Sequence, residues 1–275
     1  MSVQVIPYCG TAPTPAELLG RWNLDPVLLS ALAGIAALYA LGARRTGLAE
    51  STKRWFYAGW GLTALALVSP ICPLSVALFA ARVGQHMILT LICAPMVAVG
   101  RPLDALAALV LRRPSALTQG AAATAPLAAG LFAVLLWYWH APEPYAATFN
   151  STLTYWLMHV TVFGSAFWLW TSLLAQLGYR SARALAAGLI STVQMGLLGA
   201  LITFAPQPLY TPHFATAQLW GLTPLQDQQL GGALMWAPGC LAFLAAALAE
   251  VWTLLERASP PAEAAPYAPR GVAAP

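Results

Sequence analysis

Residues 151–174 form an uninterrupted apolar run that is long enough to cross a lipid bilayer as a helix, which takes about 20 residues. The only acidic or basic residue in the run is His159. An imidazole inside a bilayer costs free energy unless another group pairs with it or coordinates it. The rest of the chain is therefore expected to bring partners to His159 from other helices.

The composition extends this argument to the whole chain. It is 59% hydrophobic and 8% charged, with a mean hydropathy of +0.68, whereas a soluble domain would be about a quarter charged. We therefore predict an integral membrane protein with one membrane domain. The net charge of +4 does not indicate a nucleic-acid partner, because the basic residues occupy short loops rather than one face.

Apolar segments of about 20 residues predict an all-α, polytopic transmembrane helical bundle with about seven spans. The predicted spans are 25–43, 55–72, 76–100, 121–140, 151–174, 184–205 and 230–254. Pro70 and Pro73 interrupt a long apolar run and predict the hairpin between the second and third spans. Residues 1–24 are expected on the outer surface, 25–255 in the transmembrane domain and 256–275 in a disordered cytoplasmic tail.

The distribution of basic residues predicts the orientation. Eleven of the thirteen Lys and Arg residues fall on one side of the predicted spans, and only Arg21 and Arg82 fall on the other. We expect the basic side to be cytoplasmic, with the N-terminus outside and the C-terminus inside. The first residues contain no basic group before Arg21 and no early apolar core, so they do not predict a signal peptide.

The four cysteines are Cys9, Cys72, Cys93 and Cys240, and they contain no CxxC pair. This spacing indicates neither a zinc ribbon nor a thioredoxin-like site. Cys9 and Cys72 both fall on the predicted outer side and could pair, but free thiols are the favoured interpretation.

All four histidines fall in the outer half of the predicted bundle. At about 1.5 Å per helical residue, His86 lies about 21 Å and His159 about 22 Å above the inner ends of their spans. His140 closes the fourth span at the outer surface. His213, in an outer loop beside Pro212, is expected to be a surface residue rather than a ligand.

Three methionines accompany the histidines on this side. Met87 and Met158 adjoin two of them in sequence, and Met235 enters the seventh span from the outer side. Imidazole and thioether ligands without a thiolate pair suit copper, with Met favouring the cuprous ion. Imidazoles on separate spans could instead ligate haem, and the sequence does not choose between the two.

Several of these residues also have a purely structural interpretation. A lone histidine inside a membrane is often a hydrogen-bond partner between helices, and Met is ordinary core filler. Arg82, one turn before His86, could hold a haem propionate but is expected to extend to the lipid headgroups.

The seventh span begins with a polar block. Asp227, Gly231 and Met235 are spaced four apart and therefore lie on adjoining parts of one helix face. We expect Asp227 and Gln228 to orient an imidazole, a role that carboxylates and amides often take beside metal ligands.

Other function classes find less support in the sequence. A transporter would normally show an internal repeat, which is absent, and Gly188, Gly196 and Gly199 predict close helix packing. The chain has no Ser/His/Asp order, no HExxH motif and no phosphate-binding loop, so we do not predict an enzyme.

Short blocks rich in aromatic, polar, Pro and Gly residues punctuate the apolar sequence. They include Ile6-Pro7-Tyr8-Cys9-Gly10, Arg21-Trp22-Asn23-Leu24-Asp25-Pro26, Gln85-His86-Met87, Gly100-Arg101-Pro102, Trp139-His140-Ala141-Pro142, Asp227-Gln228-Gln229-Leu230-Gly231-Gly232 and Met235-Trp236-Ala237-Pro238-Gly239. Together they resemble the CtaG family of cytochrome c oxidase assembly factors, from about residue 6 to residue 255.

The resemblance implies a multi-pass protein of the bacterial inner (plasma) membrane that helps to mature a haem-copper oxidase, through copper supply to it. The implied partners are haem-copper oxidase subunits, a copper donor protein and the lipid bilayer. The residues that match the family motif by position are His86, His140, His159, Asp227, Gln228 and Met235.

Our leading hypothesis is a non-enzymatic assembly factor that holds one copper ion near the outer face. His86 and His159 would be the buried ligands, completed by His140 or by a Met, in a pocket that opens away from the cytoplasm. The alternatives are a copper transporter or permease and a membrane haem-binding protein.

Overall fold

The computed structural model describes residues 6–110, 124–175 and 182–258. Within these ranges every regular element is helical, which confirms the predicted all-α class. The helices are α1 Pro26–Thr46, α2 Glu50–Val68, α3 Ile71–Ala77, α4 Phe79–Met87, α5 Ala94–Val99, α6 Pro102–Val110, α7 Ala125–His140, α8 Pro142–Asn150, α9 Thr152–Leu174, α10 Ala182–Thr203 and α11 Pro224–Ala258.

The helices agree with a multi-pass membrane protein of about seven spans. Among the described residues, five stretches are long and apolar enough to cross a membrane: α1, α4 to α5, α9, α10 and the first part of α11. The pair α2 and α3 passes the same test together, bent by 47°. The 16-residue α7 covers most of the fourth predicted span. The start of that span (121–123) and most of the predicted tail (259–275) lie outside the described residues.

The connection between the second and third spans lies where the prolines predict it, but it is a helix rather than a tight hairpin. α2 ends at Val68, α3 follows Pro70, and α4 begins at Phe79. Pro73 lies in the first turn of α3, where its missing N–H has no intrahelical partner to lose. Proline can therefore start a helix here as well as end one.

The third span changes its helical pitch directly after His86 and Met87. Residues Ile88–Cys93 form a π-helical stretch that joins α4 to α5. Pro95 follows at the start of α5 and cannot donate a backbone hydrogen bond to the preceding turn. π-Helical stretches are frequent at functional sites, and this one adjoins a candidate ligand.

Residues 6–24 pack over the predicted outer ends of the helices. Asp25 caps α1 by accepting a 2.8 Å hydrogen bond from the Val27 amide, and its second oxygen accepts a 2.5 Å hydrogen bond from the Tyr8 hydroxyl. The hydrogen bond from Tyr8 and, to a smaller extent, that from Val27 hold the pKa of Asp25 below its usual value. The Asn23 amide donates to the Val68 carbonyl oxygen at 2.8 Å, which ties the segment to the end of α2.

A disulfide joins Cys9 to Cys72 in α3, with Cα atoms 5.5 Å apart. The favoured prediction of free thiols is therefore wrong for these two residues. They meet because the N-terminal segment folds back over α3, a contact between positions 63 residues apart. Within the described residues, Cys93 and Cys240 are free.

The helices α10 and α11 pack closely along their length, which confirms the predicted packing role of the glycines. A Cβ atom on Gly199 would lie 2.8 Å from the Trp236 amide nitrogen, and one on Gly196 would lie 2.8 Å from the Cys240 sulfur. A Cβ on Gly188 would lie 3.1 Å from its nearest neighbour on α11. The approach is closest to backbone at Gly199, where a side chain would force the two helices apart.

Candidate metal site

His86 in α4 and His159 in α9 meet between the helices. Their ring centroids are 5.1 Å apart, with the ring planes inclined at 58°. The two residues are 4% and 5% exposed, so neither ring points into lipid. Two imidazoles from separate helices therefore lie side by side, as their similar predicted heights require.

Both rings present an unpaired nitrogen. Nδ1 of His159 lies 3.0 Å from the Tyr155 carbonyl oxygen, which can only accept, so Nδ1 carries the proton and Nε2 keeps a lone pair. The Nε2 atoms of His86 and His159 are both buried without a hydrogen-bond partner. A buried polar atom left unpaired costs about 1–3 kcal/mol. His159 thus has one nitrogen fixed by a carbonyl and the other free to coordinate, a pattern common among metal-binding histidines.

His140 ends α7 and is also buried. Its Nδ1 donates to the Leu136 carbonyl oxygen at 2.7 Å, which fixes the same tautomer as in His159. It lies close enough to His86 for an electrostatic interaction. Among the described residues, however, no three His, Cys, Asp or Glu side chains form a group that could hold a metal ion. The structure therefore brings two of the predicted imidazoles together and leaves the third outside their group.

All three candidate methionines, Met87, Met158 and Met235, lie in the main apolar core. Met158 is 1% exposed, and its sulfur lies 4.0 Å from a guanidinium nitrogen of Arg82. The positions of the three fit the alternative interpretation of Met as core filler.

Asp227 and Gln228 bind the backbone, so in this structure neither orients an imidazole directly, contrary to the expectation. The Asp227 carboxylate accepts hydrogen bonds from the amides of Phe79 at 2.7 Å and Ala80 at 3.0 Å, at the start of α4. The Gln228 side chain accepts from the Leu209 amide at 2.6 Å and donates to backbone carbonyls. Asp227 can act on His86 only through the helix that carries it.

Arg82 does not extend to the headgroups, and that expectation was wrong. It is 2% exposed and donates to the Thr148 hydroxyl at 2.7 Å. Its guanidinium carbon lies 4.4 Å from the centroid of the Phe149 ring, 5.1 Å from that of Tyr145 and 5.7 Å from that of Tyr155. The aromatic faces offer cation–π contacts in place of water.

His213 was expected on the surface, but it is 2% exposed. Its Nε2 and the Tyr145 hydroxyl oxygen are 2.6 Å apart and share a hydrogen bond. The ring makes an edge contact with Phe149, at 5.3 Å between centroids. Burial lowers the pKa of this loop histidine to about 3, so it is neutral at physiological pH.

The His86–His159 pair is covered on its predicted outer side. The Tyr155 ring lies 4.1 Å from that of His159 and stacks on Tyr8 at 4.8 Å. The Cys9 sulfur lies 3.3 Å from the Tyr155 hydroxyl oxygen. The disulfide and two tyrosines therefore separate His159 from the outer surface.

A cavity of about 290 Å³ reaches His159 from the side. It lies between α1, α2 and α9, with Trp60, Trp156 and Phe163 in its wall. Its rim includes Val160, which is 64% exposed on a membrane-spanning helix. His159 therefore borders a partly open apolar cavity between these helices.

The sequence contains a local signal for two residues beside the histidines, Arg82 and Tyr155, of which only Arg82 enters the sequence-based prediction. Arg82 precedes His86 by four positions and Tyr155 precedes His159 by four, and this spacing places each pair on one helix face. The roles of Tyr145 and His213 had no such local signal, because they meet across 68 positions of sequence.

The model of one family, described as cytochrome c oxidase caa3 assembly factor (Caa3_CtaG), matches residues 36–257 of the 275. No curated protein and no solved structure gives a significant match. The matched range includes His86, His140, His159 and Asp227, whereas the blocks at 6–10 and 21–26 precede it. The chain therefore belongs to the CtaG family of cytochrome c oxidase caa3 assembly factors.

Proposed function

We propose that the protein binds one copper ion at His86 and His159 and passes it to the haem-copper oxidase that it helps to assemble. The family supports the role in oxidase assembly. The observation that carries the copper proposal is the pair of buried imidazoles on different helices, each with an unpaired Nε2. A metal ion bound between them would give both Nε2 atoms the partner that no group of the protein provides.

The chemistry of the available donors fits the cuprous ion. Imidazole and thioether are suitable ligands for it, and the buried pair includes neither a carboxylate nor a thiolate. Two imidazoles leave room for a further ligand. His140, Met87, Met158 and Met235 remain candidates within the chain, and a side chain of a copper donor protein or of an oxidase subunit could fill the same role. The proposed activity is binding and transfer, without catalysis.

The geometry favours copper over haem. A porphyrin ligated by both histidines would have to lie between their rings, but these rings are already in contact at 5.1 Å. A single small ion needs only that the two Nε2 atoms turn towards a common point. No observation in the structure specifically favours a transporter.

Copper binding can be measured on the purified full-length protein in detergent. We expect about one Cu(I) per chain, and we expect His86→Ala and His159→Ala each to weaken Cu(I) binding by about tenfold or more, equivalent to ~1.4 kcal/mol. His213→Gln is the matched control, because this buried histidine also has an unpaired nitrogen, Nδ1, but its Nε2 is hydrogen-bonded to the Tyr145 hydroxyl and it is not part of the pair. It should retain copper.

Three results would contradict the proposal. They are full Cu(I) occupancy in the His86→Ala/His159→Ala double variant, no Cu(I) binding by the wild-type protein, and a Soret band in purified material that disappears in His159→Ala. The last would establish haem ligation instead. Circular dichroism of each variant checks that the helices remain.

A further inference from the structure

Arg82 is a buried cation without a carboxylate partner. Among the described residues, the two ion pairs join Lys53 to Glu50 and Arg101 to Asp104. In the part of the chain that the structure describes, the buried carboxylate on a helix that packs against α4 is that of Asp227, and it accepts hydrogen bonds from two backbone amides. The Nε of Arg82 is itself buried without a hydrogen-bond partner. Its positive charge is therefore not neutralised locally.

This charge lies beside the histidine pair. Arg82 and His86 are one turn apart on α4, and the guanidinium lies over Tyr155, whose ring is in turn 4.1 Å from that of His159. Arg82 interacts electrostatically with both His86 and His159. Any ion held by the two imidazoles would be within the field of this fixed charge.

The side chain is also held in place. Thr148 accepts its hydrogen bond, and aromatic rings from α8 and α9 surround the guanidinium. A flexible surface arginine could turn away from an arriving cation, and water would screen its charge. Arg82 is 2% exposed, so it can neither turn away from the ion nor be screened by water. Repulsion is stronger in such a low-dielectric environment than in water.

Coulomb repulsion is proportional to the charge of the bound ion, so a divalent ion is repelled twice as strongly as a monovalent one at the same position. We infer that Arg82 makes the His86–His159 site selective for a monovalent metal ion over divalent ions. This inference rests on the proposed function, since it concerns the same site. It gives the site a determinant of selectivity that its ligands alone do not provide.

Cu(I) and Zn(II) are suitable probes, because both have filled d shells and differ in charge. Their affinities would be measured on the purified wild-type protein and on Arg82→Met, which removes the charge. We expect the ratio of Cu(I) affinity to Zn(II) affinity to fall by about tenfold in Arg82→Met, because removing the repulsion strengthens Zn(II) binding more. Arg82→Lys keeps the charge and should keep the wild-type ratio.

Arg82→Gln is a second uncharged variant, which retains a donor for Thr148 and serves if Arg82→Met does not fold. A ratio within about twofold of wild type in the uncharged variants would overturn the inference while leaving copper binding intact. A wild-type protein that binds no Cu(I) would instead overturn the proposed function, and the inference with it. The two failures are therefore distinguishable.

Discussion

The Asp227 carboxylate accepts a 2.7 Å hydrogen bond from the backbone amide of Phe79, 148 positions earlier in the chain. The bond connects the polar start of α11 to the first turn of α4. Negative charge is favourable at this end of a helix, where backbone N–H groups have no intrahelical partner. The helix that carries Arg82 and His86 is therefore fixed from its N-terminus by a residue of the last span.

Removing this carboxylate should destabilise the protein. We expect Asp227→Leu to lower the free energy of unfolding by about 1.5–3 kcal/mol, because hydrogen bonds to a charged acceptor are lost and two buried amides are left unpaired. Asp227→Asn retains one acceptor oxygen and should cost less. Thermal unfolding in detergent measures both, with the exposed Glu17→Gln as control. Equal stability of Asp227→Leu and the control would contradict the prediction.

Removing the Cys9–Cys72 disulfide should loosen the cover over Tyr155 and His159. Closing a loop of this length stabilises by about 2–4 kcal/mol. Cys9→Ser, Cys72→Ser and the double variant should show similar losses, since each removes the same bond. Cys240→Ser is the control, because Cys240 is not in a disulfide. Thermal unfolding with and without reductant provides the measurement, and alkylation of four thiols in the oxidised wild type would show that the bond is absent.

Two glycines of α1 should respond in opposite ways to alanine. A Cβ at Gly42 would collide with the carbonyl oxygen of Ala105 in α6, whereas a Cβ at Gly34 has nothing within 4 Å. We expect Gly42→Ala to destabilise by about 1–3 kcal/mol through overpacking. Gly34→Ala should be neutral or stabilising by up to about 1 kcal/mol, since alanine favours a helix more than glycine does. Unfolding of the two variants side by side tests the packing of α1 on α6.

His213 should contribute to acid sensitivity. Its pKa is about 3 in the folded protein, because burial disfavours the charged ring, whereas the ordinary value is 6.5. Below pH 6.5 the unfolded chain binds a proton that the folded chain does not, so stability falls as the pH drops towards 3. His213→Gln removes this contribution. It should be less stable than wild type at pH 7.5, and the difference should narrow at pH 5, as followed by thermal unfolding. A constant difference would contradict the assignment.

The sequence by itself determined which segments are membrane spans and at what height their polar residues lie. Length and hydropathy are local properties, and the rise per helical residue converts positions into heights. For that reason the all-α class and the meeting of His86 with His159 could both be predicted. The sequence also shows that Arg82 and His86 are four residues apart and so lie on one face of a helix.

Only the tertiary structure decided which way each helix face turns. The rotation of a helix depends on side chains supplied by distant segments, so the burial of Arg82 and His213, and the separation of His140 from the histidine pair, had no local signal. The same holds for the Cys9–Cys72 bond, formed because the N-terminal segment folds over α3, and for the backbone partners of Asp227. Whether a segment spans the bilayer depends on its own hydropathy, whereas the face that it buries depends on the side chains of all the helices packed around it.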